Sequence, residues 1–322
     1  MSEITPPRIL LFGEELRLRA ARRVAVCSGG DVIIEEDPAH IADVASETQP
    51  DVVLFDIDHA GPAAMLLATQ ITGLAPRARM IVLAHPSPPD NIARLLKAPW
   101  FFHLLPLESP WFMEELQATL AKLSGFSVFG LGSYLPWGTR ILSHTLTASD
   151  EKDAVFARIE AFMAAIGVRG RLVSRLHDIA DEMVMNAVYD APIDPYTGHH
   201  KYAERSRTER IELSRDEQPT LRFGSDGRVF GISITDPFGG LDPNILKKYI
   251  AKGLRRGTDQ IDRKAGGAGL GLYFLFDSVN SLCLNLSPGV RTEMIGLIDI
   301  RGSFRDVQLS PKGFNIFIED RA

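Results

Sequence analysis

The chain has 322 residues, 45% of them hydrophobic and 24% charged, enough for about two domains with real cores, which excludes a disordered, collagen-like or disulfide-stapled protein. Its formal charge of −6 is uneven: residues 1–124 hold 10 Lys and Arg against 16 Asp and Glu, whereas the remainder holds 25 of each. That balance argues against a nucleic-acid binder built on bulk positive charge and points to two units with different tasks.

Cys27 and Cys283 are the two cysteines, too isolated for a disulfide framework or a zinc site. Both read as small buried hydrophobes in a reducing compartment. No apolar run approaches the ~18 residues of a membrane helix, and the N-terminus lacks a basic region followed by an apolar one. The expected location is cytoplasmic.

Short apolar runs alternate with helical patterns over residues 1–124. Strands are expected at Ile9–Phe12, Val32–Ile34, Val52–Phe55, Met80–Leu83 and Phe101–Leu105, with helices near 14–25 and 38–48. Continuous apolar strands spaced by helices imply a doubly wound five-stranded parallel sheet, its crevice beyond the carboxyl ends of the strands. Residues 125–140 carry Phe126, Phe129, Tyr134, Leu135 and Trp137, too many apolar side chains for a polar linker, so a docked connector is expected. The second domain, 141–322, opens with a strand near 141–147 and helices near 149–166 and 169–189. A polar excursion follows at 191–218, then strands near 219–223 and 229–235, and helices near 242–252 and from 269. Strands near 282–287, 292–300 and 313–318 finish the chain. Helices grouped before strands imply an α+β sandwich, helices on one face of a mixed sheet.

Three segments of the second domain carry chemistry. Glu182 and Asn186 stand one turn apart on a helix, so they share a face. A carboxylate and an amide oxygen together suit Mg²⁺ shared with substrate phosphates, or the carboxylate takes a proton from an attacking hydroxyl. Alone, the pair reads better as a solvated surface pair. Asp236 ends a strand and runs into Gly239 and Gly240. A carboxylate there can accept from an exocyclic amine, which favours adenine over guanine, and glycines let backbone approach a flat ring. Gly266-Gly-Ala-Gly269-Leu270-Gly271 precedes an apolar helical pattern, and clustered amides at a helix start suit an anion. No buried strand precedes these glycines, so a dinucleotide fingerprint is excluded, and no P-loop motif occurs.

In this order the segments resemble the GHKL, or Bergerat-fold, ATP-binding domain, a superfamily that includes histidine kinases, gyrase-type ATPases and anti-sigma-factor serine kinases. Its N box matches at Glu182 and Asn186, its first glycine box at Asp236 and Gly240, and its second at Gly267, Gly269, Leu270 and Gly271. Thr292 resembles the late threonine beside the adenine site. Phe238 departs from the pattern, standing where the first box has glycine. The resemblance implies ATP with Mg²⁺ as cofactors: Asn186 on the metal, Glu182 as catalytic base. An ATP lid is implied over about 247–265, hinged at Gly253, Gly257 and Gly266 and carrying bases such as Lys247, Lys252 and Arg256. His144 lies in an expected strand with no helical hairpin before it, which disfavours a histidine kinase. The layout is closer to the anti-sigma serine kinases, implying an in-trans serine/threonine kinase with a protein partner and a homodimer by analogy. A nucleotide-gated interaction module without phosphate transfer is the competing reading.

Residues 8–122 resemble a response-regulator receiver. Gln49-Pro-Asp-Val-Val-Leu-Phe-Asp56 matches the third strand ending at the phosphoacceptor aspartate, and Glu14 takes one place of the acidic pair that holds a metal. Gly13 takes the other, Ala84 replaces the switch hydroxyl, and Leu105-Pro106 stands where Lys-Pro is expected. A phosphoryl group on Asp56 would lack its charged partner, so a degenerate receiver used for docking is expected.

Overall fold

A computed structural model describes residues 6–85, 89–194, 196–256 and 270–319. The chain divides into two compact units. One comprises the described residues up to Ser127 with Pro311–Asn315; the other comprises Val128–Ser310 with the described residues from Ile316.

The first unit runs β1 (Arg8–Phe12), α1 (Arg19–Cys27), β2 (Asp31–Glu35), α2 (Ile41–Thr48), β3 (Val52–Asp56), α3 (Ile57–Ala60), α4 (Ala64–Leu74), β4 (Arg79–Ala84), α5 (Pro89–Leu95), β5 (His103–Pro106) and α6 (Phe112–Leu123). Its strands pair in parallel in the order β2-β1-β3-β4-β5. Alternation across the pleat sends Ile9, Leu11, Val52, Leu54, Ile81, Leu83 and Leu105 into a core with Ala21 and Val24 of α1 and Leu116 and Leu120 of α6. The intervening residues, Leu10, Phe12, Val53, Phe55 and Val82, are equally buried. The strands therefore read as unbroken apolar runs because both faces are covered.

The first helix starts later than its sequence pattern suggests. Residues 14–18 form a turn in which the N–H groups of Arg17 and Leu18 donate to Glu14 O (3.0 and 3.1 Å). Gly13 has φ +141°, and a Cβ there would lie 2.7 Å from Asp56 Cβ, so the chain leaves β1 by a route that a side chain would block. Cys27, expected to be buried, is exposed, because the inward stripe of α1 is Ala21, Val24 and Ala25.

The second unit runs β6 (Ile141–Thr145), α7 (Lys152–Ala165), α8 (Arg171–Met185), β7 (Thr220–Ser225), β8 (Val229–Asp236), α9 (Pro243–Arg256), α10 (Leu270–Ser278), β9 (Ser281–Ser287), β10 (Arg291–Asp299) and α11 (Phe304–Leu309). The strand β11 (Gly313–Ile318) is divided between the units after Asn315. The order β6-β7-β8-β10-β9 is antiparallel at every step; tight turns join β7 to β8 and β9 to β10, and such hairpins admit no other sense. Phe162 of α7 packs on Phe223 and Phe230 at centroid distances of 5.7 and 6.2 Å. The even-numbered residues of β8 therefore face the helices.

The opposite face takes the connector. Val128, Leu131, Tyr134 and Leu135 are buried, Gly130 N–H donates to Glu293 Oε2 (2.7 Å), and the Tyr134 hydroxyl meets Cys283 Sγ (3.1 Å). Phe126 and Trp137, expected to dock with them, are exposed. They lie outside the 128–135 stretch that turns toward the sheet.

In the first unit, Phe314 and Asn315 add antiparallel to β5. Asn315 is fully buried; its Nδ2 donates to Glu115 Oε1 (3.0 Å), and its Oδ1 lies 3.2 Å from His103 Nδ1. Burial drives the His103 pKa down to about 3, so the ring is neutral and its Nδ1–H donates. Replacing Asn315 by Ala takes one buried hydrogen bond from each partner, and the expected loss is about 2 kcal/mol of unfolding free energy in urea titrations. An unchanged midpoint would contradict this network.

Candidate functional site

The site is built from the end of β8 outward. Asp236 is its last residue and, like Phe230, points to the helix face. It is 9% exposed, and its Oδ1 accepts from Phe238 N–H (3.0 Å). Burial pushes the Asp236 pKa up to about 6, against the downward pull of the N–H groups of Phe238, Gly239 and Thr292 and of the Thr292 hydroxyl. Thr292 lies directly across the β8–β10 ladder from Asp236. Its hydroxyl is near enough to favour the carboxylate, yet it is buried without a well-formed hydrogen bond among the described residues.

Gly239 holds these two residues together. It has φ +62°, and a Cβ there would overlap Ser287 O and lie 2.6 Å from Val290 N. Its carbonyl accepts from Gly289 N–H (3.0 Å), so the turn after β8 is stitched to the turn that leads into Thr292. Only glycine permits that approach. The motif resemblance named Gly240, but its neighbour Gly239 makes the contact. A Cβ on Gly240 would press on Ile193, 2.9 Å away.

Glu182 lies on α8, which packs against β8, and Asn186 follows its last residue. At Asn186 the helix widens into a π turn, Asn186–Asp190, a local defect of the kind that often marks functional helices. Burial raises the Glu182 pKa above the usual carboxylate range; Arg207 and the Asn186 amide pull it down, and Asp190 and Asp181 push it up. Asn186 Nδ2 is buried without a well-formed hydrogen bond among the described residues. Gly271, in the first turn of α10, leaves room for Glu182: a Cβ there would overlap its carboxylate.

The other predicted residues are distributed as follows. Leu270 begins α10. Lys252 lies exposed on α9, whereas Lys247 is buried and its pKa is lowered by burial. Lys247 shares the inward stripe of Leu246 and Ile250, so it does not belong to an open basic lid. Gly253, expected as a hinge, lies inside α9 against the Tyr273 ring, which would overlap a Cβ; it is a close-packing position between two helices. Gly257, Gly266, Gly267, Gly269, the lid beyond 256 and the side chain of Arg256 lie outside the described residues.

The sequence missed what the excursion contributes. Arg207 Nη2 lies 3.1 and 2.8 Å from the two carboxylate oxygens of Asp190. The Tyr189 hydroxyl donates to Glu209 O (2.6 Å). The polar segment is thereby fastened to the π turn of α8. An ion pair across 17 residues leaves no periodic trace in a sequence.

In the first unit, Asp56 is fully buried at the carboxyl end of β3. Its Oδ1 accepts from the N–H groups of Asp58 (3.0 Å) and His59 (3.1 Å), capping α3, and Oδ2 lies 3.8 Å from Arg17 Nη2. Asp58 accepts from His85 N–H (2.8 Å). Glu14 is exposed, and among the described residues no group of three or more His, Cys, Asp or Glu side chains is placed to hold a metal ion. Ala84 and Leu105 are buried.

A scan against protein-family models and a search of curated proteins return no match. Among solved structures, a chain of the SiaB–SiaC complex from Pseudomonas aeruginosa is 15% identical over 49% of this chain and 90% of its own, with a TM-score of 0.33. A GCN5-related glucosamine N-acetyltransferase region of a fungal multi-domain GH3 β-N-acetylglucosaminidase is 12% identical over 74% of this chain and 25% of its own, with a TM-score of 0.28. Both scores are too low to carry an argument about this chain. Among the described residues no helix is long and apolar enough to cross a membrane.

The Asp236 geometry fixes a pH dependence. With a folded pKa of about 6 against 3.8, the carboxyl contributes stability that is fully present below 3.8 and is lost as pH rises through 6. Between pH 4 and 7 the wild type should lose about 2 kcal/mol relative to Asp236→Asn. Parallel stability curves for the two proteins would contradict the buried carboxyl.

Proposed function

We propose that this chain is an ATP- and Mg²⁺-binding signalling protein, its second unit a nucleotide site of the GHKL type and its first a receiver-like docking unit. The observation that carries the reading is the buried Asp236 carboxyl at the end of β8, facing a Thr292 hydroxyl that lacks a well-formed hydrogen bond. A buried acceptor beside an unsatisfied hydroxyl invites a polar ligand, and an exocyclic amine satisfies the carboxylate.

The N box fits the rest of the nucleotide. The Asn186 Nδ2 is buried without a well-formed hydrogen bond yet near enough to favour the Glu182 carboxylate, which leaves the amide oxygen for a metal. One protein oxygen with substrate phosphates suffices for Mg²⁺, which retains much of its own water. When bound, Mg²⁺-ATP supplies a γ-phosphoryl group for transfer. Glu182, its pKa raised by burial, is suited to take the proton of a partner's serine or threonine hydroxyl. The function proposed is therefore that of an in-trans serine/threonine kinase of the anti-sigma type. Within the first unit, the Asp56 oxygens are engaged by a helix cap and faced by Arg17, which supports docking without phosphoryl chemistry.

Two variants separate the roles. By calorimetry with Mg²⁺-ATP, Asp236→Asn should weaken binding about tenfold, the worth of a lost charge-assisted hydrogen bond. Glu182→Ala should bind ATP as the wild type does, yet add no phosphate to serine or threonine of proteins retained by the full chain, read by phosphosite mapping. Wild-type affinity in Asp236→Asn would remove the adenine assignment, and undiminished phosphorylation by Glu182→Ala would remove the base.

A further inference from the structure

Glu182, Asn186 and Asp190 follow one another at intervals of four residues along α8 and its π turn. They form a stripe of two carboxylates and an amide, a surface that repels a polyphosphate unless a cation stands beside it. The excursion supplies that cation. Arg207 lies against the last member of the stripe, its guanidinium carbon 5.6 Å from the Tyr189 ring centroid and its Nη2 on both oxygens of Asp190. The backbone from Arg207 to Glu209 is held as well, since the Tyr189 hydroxyl lies 3.4 Å from Arg207 O and donates to Glu209 O at 2.6 Å.

We propose that Arg207 is a phosphate-reading residue of this site, contributed by the excursion 191–218 and contacting the terminal phosphate of the bound nucleotide. The proposal rests on the nucleotide reading above. Three observations support it. A guanidinium carries five donors in a planar fork, and the Asp190 pair uses one nitrogen, so Nη1 and Nε have no acceptor among the described residues. The side chain is 43% exposed, so a ligand can reach it. Its charge is also felt at Glu182, where it is the largest of the charge effects. Glu182 is the proposed base at the γ-phosphoryl group, so a cation beside it lies at the terminal end of the triphosphate. Asp190 is then a positioning residue, holding one edge of the fork and leaving the other for a bidentate phosphate contact.

The test compares Mg²⁺-ATP and Mg²⁺-ADP affinities of the full chain by calorimetry for the wild type, Arg207→Ala and Asp190→Ala, with circular dichroism as the folding control. Arg207→Ala should weaken ATP about tenfold while leaving ADP within about twofold, a discrimination that one charge-assisted contact supplies. Asp190→Ala keeps the guanidinium but removes what positions it, and should lose only part of the preference for ATP. Equal losses in the two variants would show that the pair merely fastens the excursion and would overturn the proposal. So would wild-type ATP affinity in Arg207→Ala. If the wild type itself binds neither nucleotide, the nucleotide reading falls first and this inference with it.

Discussion

The second unit depends on a close approach of two backbones. Gly239, at φ +62° with no room for a Cβ, lets the turn after β8 lie on the turn between β9 and β10. The contact sets Asp236 opposite Thr292 and closes one end of the sheet. An alanine at Gly239 would meet a carbonyl oxygen and an amide nitrogen, neither of which can swing aside as a side chain can. Asp236 is consequently buried, and its raised pKa follows from that burial rather than from a neighbouring charge. The geometry and the chemistry of the carboxyl thus share one cause.

The helix side works by a second contact of the same kind. Gly271 leaves the space in which the Glu182 carboxylate lies, so the start of α10 and the middle of α8 meet at a carboxylate instead of at two packed side chains. The excursion then docks through Tyr189 and Asp190, on the turn where α8 widens. Ile193, at the start of that excursion, lies over Gly240. The long polar insertion is therefore part of the walls of the candidate site.

Much of the fold was legible because its strands are continuous apolar runs. Ile9–Phe12, Val52–Phe55 and the alternating Val229–Asp236 declare themselves in composition alone. What the pattern could not tell was which glycines bend the chain and which let something approach. Gly239, Gly253 and Gly271 look alike in a sequence, yet one meets backbone, one an aromatic ring and one a carboxylate. Charges misled for a related reason. Lys247 looked like part of a basic lid, but its register with Leu246 and Ile250 turns it inward. Arg207 was not singled out within the polar excursion, because its partner Asp190, in the π turn after α8, is set by tertiary docking. Glu182, Asn186 and Asp236 were named from a motif, and the structure gives each a specific environment: partly buried beside Gly271, buried at its amide, and buried across from Thr292.

The central claim is that Asp236 reads an adenine amine. Its most direct test is the affinity of the full chain for Mg²⁺-ATP against Mg²⁺-GTP, measured by calorimetry at pH 7.5, where a carboxyl of pKa about 6 is ionised. A buried carboxylate that accepts from the adenine amine should meet the guanine carbonyl with repulsion, so ATP should bind and GTP should bind at least about tenfold more weakly. Equal affinity for the two, or no binding of ATP, would contradict the account.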